Sequence, residues 1–564
     1  MAFIDRESSK SLHIPLIMEM VKPFSEVGRR LKSSAKPFTP GREDELRSEY
    51  HKIKSLMQVL KNHREFRLTV TFSLSRIENI RQSFLKATTT DVLELSELYE
   101  IKNFLYHYEK IRNSLLEKKL KDLIRLIPFD DLFRLLDPEE QKIPTFHISS
   151  KYSEVLASLR LKLFELNGKR AYLEQKSLER AQKELELRTA EKQVVVSRQN
   201  KKLVQKLDQS VWYALSDENF ANLTFVFRPP EEIIKLEREQ NSLRQKIEDE
   251  ELNVRKQLSR RIGERGNDLT MALGEIARLD YLIARALFGC EINGIIPTIF
   301  VLKSQEMKPG KTEKSVSPVM SLEGAVNLFI KKELETEKIE YQAIDIRFND
   351  RINIITGANM AGKSTLMKTI GQLFYLTAYA IPLPCRKAGL PLVDFIFFSS
   401  DSESSYRTDL SSFASELISI NNAINQPGRG LFLIDEFARG TNPLEGESFA
   451  RAIMELLIEK KGIAVSATHF TSPASISKAA HYRVIGLSRE DYQKLKKTLS
   501  PQGQGGKDDL KKRIQMLHRY MNYQLESVES SNIPPRAALM IAEVLGIERE
   551  IIEKARSYMK GKKQ

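Results

Sequence analysis

The sequence predicts a multidomain protein of the α plus α/β class, with a helical first half, an α/β domain after it and closing helices. Three observations predict this. From Gly41 to Arg285 the chain is rich in Leu, Glu, Lys and Arg and poor in glycine, a helical composition. Within that region, Leu236, Leu243, Ile247, Val254 and Leu258 recur at spacings of seven, four, seven and four, the seam of a paired long helix. From Met320 to His481 short apolar runs alternate with helical stretches, the texture of an α/β sheet.

In chain order, residues 1–40 read as an N-terminal segment. Met1 to Lys10 carry charges of both signs and do not read as a secretory signal. Residues 41–290 read as a helical domain. Its seam helix starts after Pro229-Pro230 and is interrupted or ended by Gly263 and Gly266. The basic run Lys162 to Arg198 is the expected partner helix, so the two would form an arm. Its tip, Trp212 to Phe227, reads as a local core rather than a base-stacking platform. Residues 291–319 are a connector, 320–490 the α/β domain, and 491–564 a flexible basic loop around Pro501–Gly506 followed by helices.

Composition narrows the functional classes. The 564 residues suffice for two or three packed domains. No run approaches the roughly 20 apolar residues that span a bilayer, so no membrane role is expected. Cys290 and Cys385 have no metal-ligand spacing around them and fit buried thiols in a reducing cytoplasm. The net charge of +14 favours a polyanionic partner. Two stretches, 176–206 and 489–519, each hold nine Lys/Arg against four Asp/Glu. The first also fits the solvated face of a helix.

One motif carries chemistry directly. Gly357-Ala358-Asn359-Met360-Ala361-Gly362-Lys363-Ser364 has the spacing of a P-loop. An apolar strand, Arg351 to Ile355, precedes it, and a helix from Thr365 follows. Glycines let backbone N–H groups curl around a phosphate at a helix N-terminus. Lys363 would reach the β- and γ-phosphates of ATP, and Ser364 would offer its hydroxyl to Mg²⁺. Leu431 to Ile434 then leads into Asp435 and Glu436. Asp435 is placed to hold Mg²⁺, and Glu436 to polarise the attacking water. Ile463 to Thr468 is a third strand, ending at His469, a candidate γ-phosphate sensor. The bland readings are a Gly-rich turn, two solvated acids and a structural histidine.

These residues resemble the MutS family. The run Thr356 to Thr365 is similar to its P-loop, where Asn and Met inside the loop are distinctive. Asp435-Glu436-Phe437-Ala438-Arg439-Gly440-Thr441-Asn442 and Ala467-Thr468-His469 are similar to its other nucleotide segments. Ser411-Ser412-Phe413-Ala414-Ser415-Glu416 resembles its signature, and Pro535 to Arg556 its helical dimerisation element. The resemblance implies an ABC-type P-loop ATPase domain joined to a lever domain with a two-helix arm. It implies nucleotide contacts from Gly357 to Thr365 and, across a dimer, from Ser412. It also implies a short form, because no Phe-x-Glu mismatch-reading domain precedes residue 45, no nuclease-like domain follows, and the clamp is reduced to about 199–227.

Three kinds of work follow. The first is a Mg²⁺-dependent ATPase that moves a lever to grip structured or mismatched DNA in a repair- or recombination-like role. The second is the ATPase subunit of a reactivating chaperone for cobalamin-dependent lysine 5,6-aminomutase, which the short layout resembles. The third is a structural module with a silent nucleotide site, against which Lys363, Ser364, Asp435 and Glu436 argue. The working form is expected to be a homodimer or a heterodimer with a related MutS-like subunit.

Overall fold

The computed structural model describes residues 2–89, 91–120, 122–189, 191–302, 318–357, 362–399, 412–438, 441–460, 462–470, 476–498, 507–528 and 538–561, without the side chains of 412, 507–511 and 559–561. Among these residues are 20 α-helices and three sheets, so the chain is mixed helical and α/β. It folds as two compact units, Met1–Thr71 with Ala277–Gln564, and Phe72–Ile276.

The first unit is built on a six-stranded sheet. Its order is Asn522–Ser527, Ala480–Gly486, Ile352–Thr356, Ile463–Ala467, Gly430–Asp435, Phe395–Ser399. All neighbours are parallel except the first pair. Parallel strands need helical crossovers, which cover both faces and make the strands apolar throughout. The period of two then divides each strand between two cores. Ile355, Leu431, Leu433 and Val465 join Leu366, Ile370 and Leu373 of the helix Lys363–Ala378. Ile352, Ile354, Phe432, Ile434 and Ala464 join Ile420 and Ile424 of the helix Ser412–Ile424 and Met454 and Leu457 of the helix Pro443–Glu459.

Three features of this unit differ from the sequence expectation. Residues 1–40 are integral to it: Phe3, Leu12, Ile14, Ile17 and Val21 are buried in the first core. The Ile396 amide donates to Phe3 O at 2.8 Å, and Gln372 Nε2 donates to Leu12 O at 2.9 Å. The strand Asn522–Ser527, inside the segment expected to hold only a loop and helices, closes one sheet edge. The connector contributes Thr298–Phe300 to a four-stranded sheet with Lys387–Pro391, Met320–Ala325 and Ile344–Phe348. The loop Pro501–Gly506 lies outside the described residues. Both cysteines are free, and burial pushes the Cys385 thiol up to about 12.

The second unit contains the two long helices, Glu154–Leu185 and Glu231–Glu264. They run antiparallel, as Arg160 pairs with Glu251 and Arg170 with Glu237. Leu236, Leu243, Ile247, Val254 and Leu258 are all buried, as the heptad spacing requires. The first helix is shorter than the basic run suggested. It ends at Leu185, where Glu186 adopts φ +53°, and the β-branched run Val194 to Val196 becomes the strand Gln193–Ser197. That strand pairs with Asn222–Phe227, which pairs with Tyr213–Glu218. Tyr213, Phe225 and Phe227 bury their rings against Ala181 and Leu207, so the tip aromatics form a local core. The second helix ends at Glu264, between Gly263 and Gly266, and a new helix starts at Gly266. A Cβ at Gly263 would lie 2.3 Å from Ala87 O, so glycine also lets the helix approach the Arg81–Thr88 helix. Among the described residues no helix is long and apolar enough to cross a membrane.

Candidate functional site

The C-terminal edge of a parallel sheet is where chain reversals leave backbone groups facing a crevice. Here the strand Ile352–Thr356, buried throughout, delivers Gly357 to that edge with φ +153°. Ala358, Asn359, Met360 and Ala361 lie outside the described residues. The chain re-enters at Gly362, which has φ +83° and is the N-cap of Lys363–Ala378. A Cβ at Gly362 would come within 2.7 Å of the Tyr523 ring, so both its conformation and its space call for glycine. Leu366 N–H closes the first helical bond on Gly362 O at 2.9 Å. The amides of Lys363, Ser364 and Thr365 thus precede the first i→i−4 bond and face outward, where the helix dipole favours an anion.

Lys363 is 3% exposed. Its Nζ donates to Gly357 O at 2.9 Å and pairs with Glu436 Oε1 at 3.0 Å. Glu436 follows the strand Gly430–Asp435 and is itself 5% exposed, with φ +54°. Its amide donates to Ala467 O at 2.8 Å, extending the ladder one residue past Asp435, which is registered with Ala467. Thus the sheet brings Lys363 and Glu436 into contact. Asp435 stays half-buried at the strand end, and Ser364 and Thr365 occupy the helix's first turn.

These groups open into a cavity of about 360 Å³ whose polar wall includes Gly362, Lys363, Ser364, Thr365 and Glu436. The size falls in the usual small-molecule range of roughly 300–1,000 Å³. The structure does not place His469 among its lining residues. That side chain is exposed, its ring 4.4 Å from that of Phe470. The Ser412 side chain lies outside the described residues, although its helix begins there.

Residues 353–561 match the family model described as MutS domain V. This segment is a MutS-family domain. It is similar to the Endonuclease MutS2 of Caldanaerobacter subterraneus subsp. tengcongensis, at 24% identity over 86% of this chain and 56% of that protein. It is similar to the Endonuclease MutS2 of Thermotoga petrophila at 30% identity, over 59% of this chain and 38% of that one. With the Endonuclease MutS2 of Thermotoga neapolitana it shares 25% identity over 97% of this chain and 65% of the relative. The chain therefore spans less than two thirds of the length of these relatives.

The MutS domain V match covers the Lys363–Glu436 end of the cavity but not all of its walls. Ile330, Leu334, Tyr341 and Ile344 precede the matched segment, and His518 and Tyr523 come from its far end. Sequence reasoning missed these six, because no motif spacing links them. The signal that exists is weak: Asn327 is buried and caps the helix Leu328–Thr336, and its amide donates to Tyr341 Oη at 3.0 Å. His518 Nδ1 lies 2.6 Å from Tyr523 Oη. Burial holds the His518 imidazole below its ordinary pKa, against the opposing charge of Glu337, and pushes the Tyr523 phenol up to about 12. Tyr341, His518 and Tyr523, with the apolar Ile330, Leu334 and Ile344 and the acidic Glu340, thus line the same cavity as Lys363.

Proposed function

We propose that this MutS-family chain is a Mg²⁺-dependent ATP hydrolase whose nucleotide cycle moves a helical lever that grips structured or mismatched DNA. The observation that carries the reading is the meeting of buried Lys363 and Glu436 in a cavity at the N-terminus of Lys363–Ala378. The amides from Lys363 to Thr365 and the Lys363 ammonium would receive the β- and γ-phosphates. The rings of Tyr341, His518 and Tyr523 in the cavity lining would suit a nucleobase. Gly362, at φ +83°, ends the loop at the helix N-terminus, where backbone N–H groups would receive a phosphate. Ser364 and Asp435 would hold Mg²⁺, which when bound neutralises phosphate charge. Glu436, once Lys363 turns to the phosphates, would orient the attacking water and take its proton. His469 would reach the γ-phosphate only after a shift of its exposed side chain.

The domain roles belong to the same proposal. Residues 320–490 act as the P-loop ABC-type ATPase domain, the helices Glu154–Leu185 and Glu231–Glu264 as the lever arm, and the tip at 199–227 as a reduced clamp. The helices Ala538–Leu545 and Arg549–Gly561 act as the dimerisation element. Ser412, at the start of its helix, would meet the partner's γ-phosphate. DNA is preferred as the working partner because the net charge is +14 and the relatives are named endonucleases.

Calorimetric titration with ATP tests the nucleotide site. Lys363→Ala should lose measurable binding, since a buried triphosphate would lack its main cation. Unchanged affinity would end the reading. A gel-shift comparison of a four-way junction, a mismatched duplex and a perfect duplex tests the DNA role. Nucleotide-dependent binding to none of them, with capture of a cobalamin enzyme from lysate, would move the work to the reactivase class.

A further inference from the structure

The turn after Asp435 is an unusual piece of backbone. Glu436 and Ala438 both have positive φ, +54° and +65°, without being glycine. L-residues hold that region only when neighbours impose it. Glu436 is held from one side by Ala467 O. The other restraint comes from the helix Ser412–Ile424. The Ala438 amide donates to Glu416 Oε2 at 3.3 Å, and the other carboxylate oxygen, Oε1, accepts from Ser399 Oγ at 2.9 Å. One turn earlier, Phe413 packs on Phe437 with ring centroids 5.8 Å apart. The Glu416 carboxylate thus bridges three elements: its own helix, the end of the strand Phe395–Ser399, and the backbone two residues beyond Glu436.

We propose that Glu416 is a positioning residue for ATP hydrolysis: it fixes the 436–438 turn and so sets where the Glu436 carboxylate points. Glu416 is not among the described residues that line the cavity. Its action passes through the Ala438 amide, one of the bonds that hold the turn left-handed. The arrangement also ties Glu436 to the helix that begins at Ser412. Any displacement of that helix is transmitted to Glu436 through a hydrogen bond and a ring contact. The inference rests on the ATP-hydrolase reading and adds to it the residue that aligns the water-orienting group.

The test is steady-state MgATP hydrolysis together with ATP affinity and thermal melting on the full chain. Glu416→Ala should lower kcat about tenfold or more, because a misaligned base loses much of its effect, while ATP affinity stays within about twofold. Glu416→Gln keeps a carbonyl oxygen for the Ala438 amide and should recover most of the lost turnover. Ser399→Ala should give a smaller loss, again in kcat alone. Should Glu416→Ala fail to fold, Glu416→Gln and Ser399→Ala carry the same comparison. Wild-type turnover in Glu416→Ala, or parallel losses of kcat, affinity and melting temperature across the variants, would overturn the inference and leave the hydrolase reading standing. A wild-type chain that binds no ATP would overturn both.

Discussion

At the residue scale, the account turns on Gly362, Lys363 and Glu436. The motif spacing placed Lys363 at a helix start and Glu436 at a strand end, and both are found there. Their 3.0 Å contact was not legible, because it depends on the left-handed backbone at Glu436, which no residue-type preference announces. The aromatic part of the cavity lining was not legible either, since Tyr341 precedes every strand of the six-stranded sheet in sequence and Tyr523 sits on the last of them. Gly362→Ala should weaken ATP binding and lower the melting temperature. A Cβ there costs roughly 1 kcal/mol of backbone strain and must also displace the Tyr523 ring. A titration with unchanged affinity would show that the loop tolerates the side chain.

At the element scale, the two long helices were readable as a pair because a heptad seam is a statement about burial. All five seam residues are in fact covered. The partner helix was misjudged in length because charge alone does not say where a helix stops. The Val194–Val196 run outweighs it. Replacing Leu243 and Ile247 together by Asp should unfold this unit. Each buried carboxylate would cost at least about 3 kcal/mol without a partner. Circular dichroism with unchanged helix content and melting would contradict the seam. The same unit should be acid-sensitive. Burial, with Lys110 and Arg76 nearby, pushes the His107 imidazole down to about 4. Unfolded histidine titrates near 6.5. Between those values the unfolded chain binds more protons than the native one, so stability is full above about 6.5 and falls as pH drops toward 4. His107→Asn should flatten that part of the melting-versus-pH curve, and an unaltered slope would assign the sensitivity elsewhere.

At the scale of the whole molecule, the class of the fold followed from composition and periodicity, while the contribution of residues 1–40 to the α/β core did not. That segment has no regular apolar period, and its core residues, Phe3, Leu12 and Ile17, are scattered. In the proposed assembly, Ile547, Ile551 and Tyr558, exposed at 46%, 57% and 76%, would be covered by a partner chain. Ser412→Ala should reduce turnover in its own homodimer and much less when mixed with a Lys363→Ala chain that supplies an intact signature. The central claim is that two chains together hydrolyse ATP at the Lys363–Glu436 site. It is tested most directly by MgATP turnover per chain measured against protein concentration, on samples whose association state is read in parallel by sedimentation. The account predicts turnover that rises with the dimer fraction in the wild-type chain, and Glu436→Ala protein that binds ATP and dimerises without turning it over. Full turnover by a monomer, or wild-type turnover in Glu436→Ala, would contradict it.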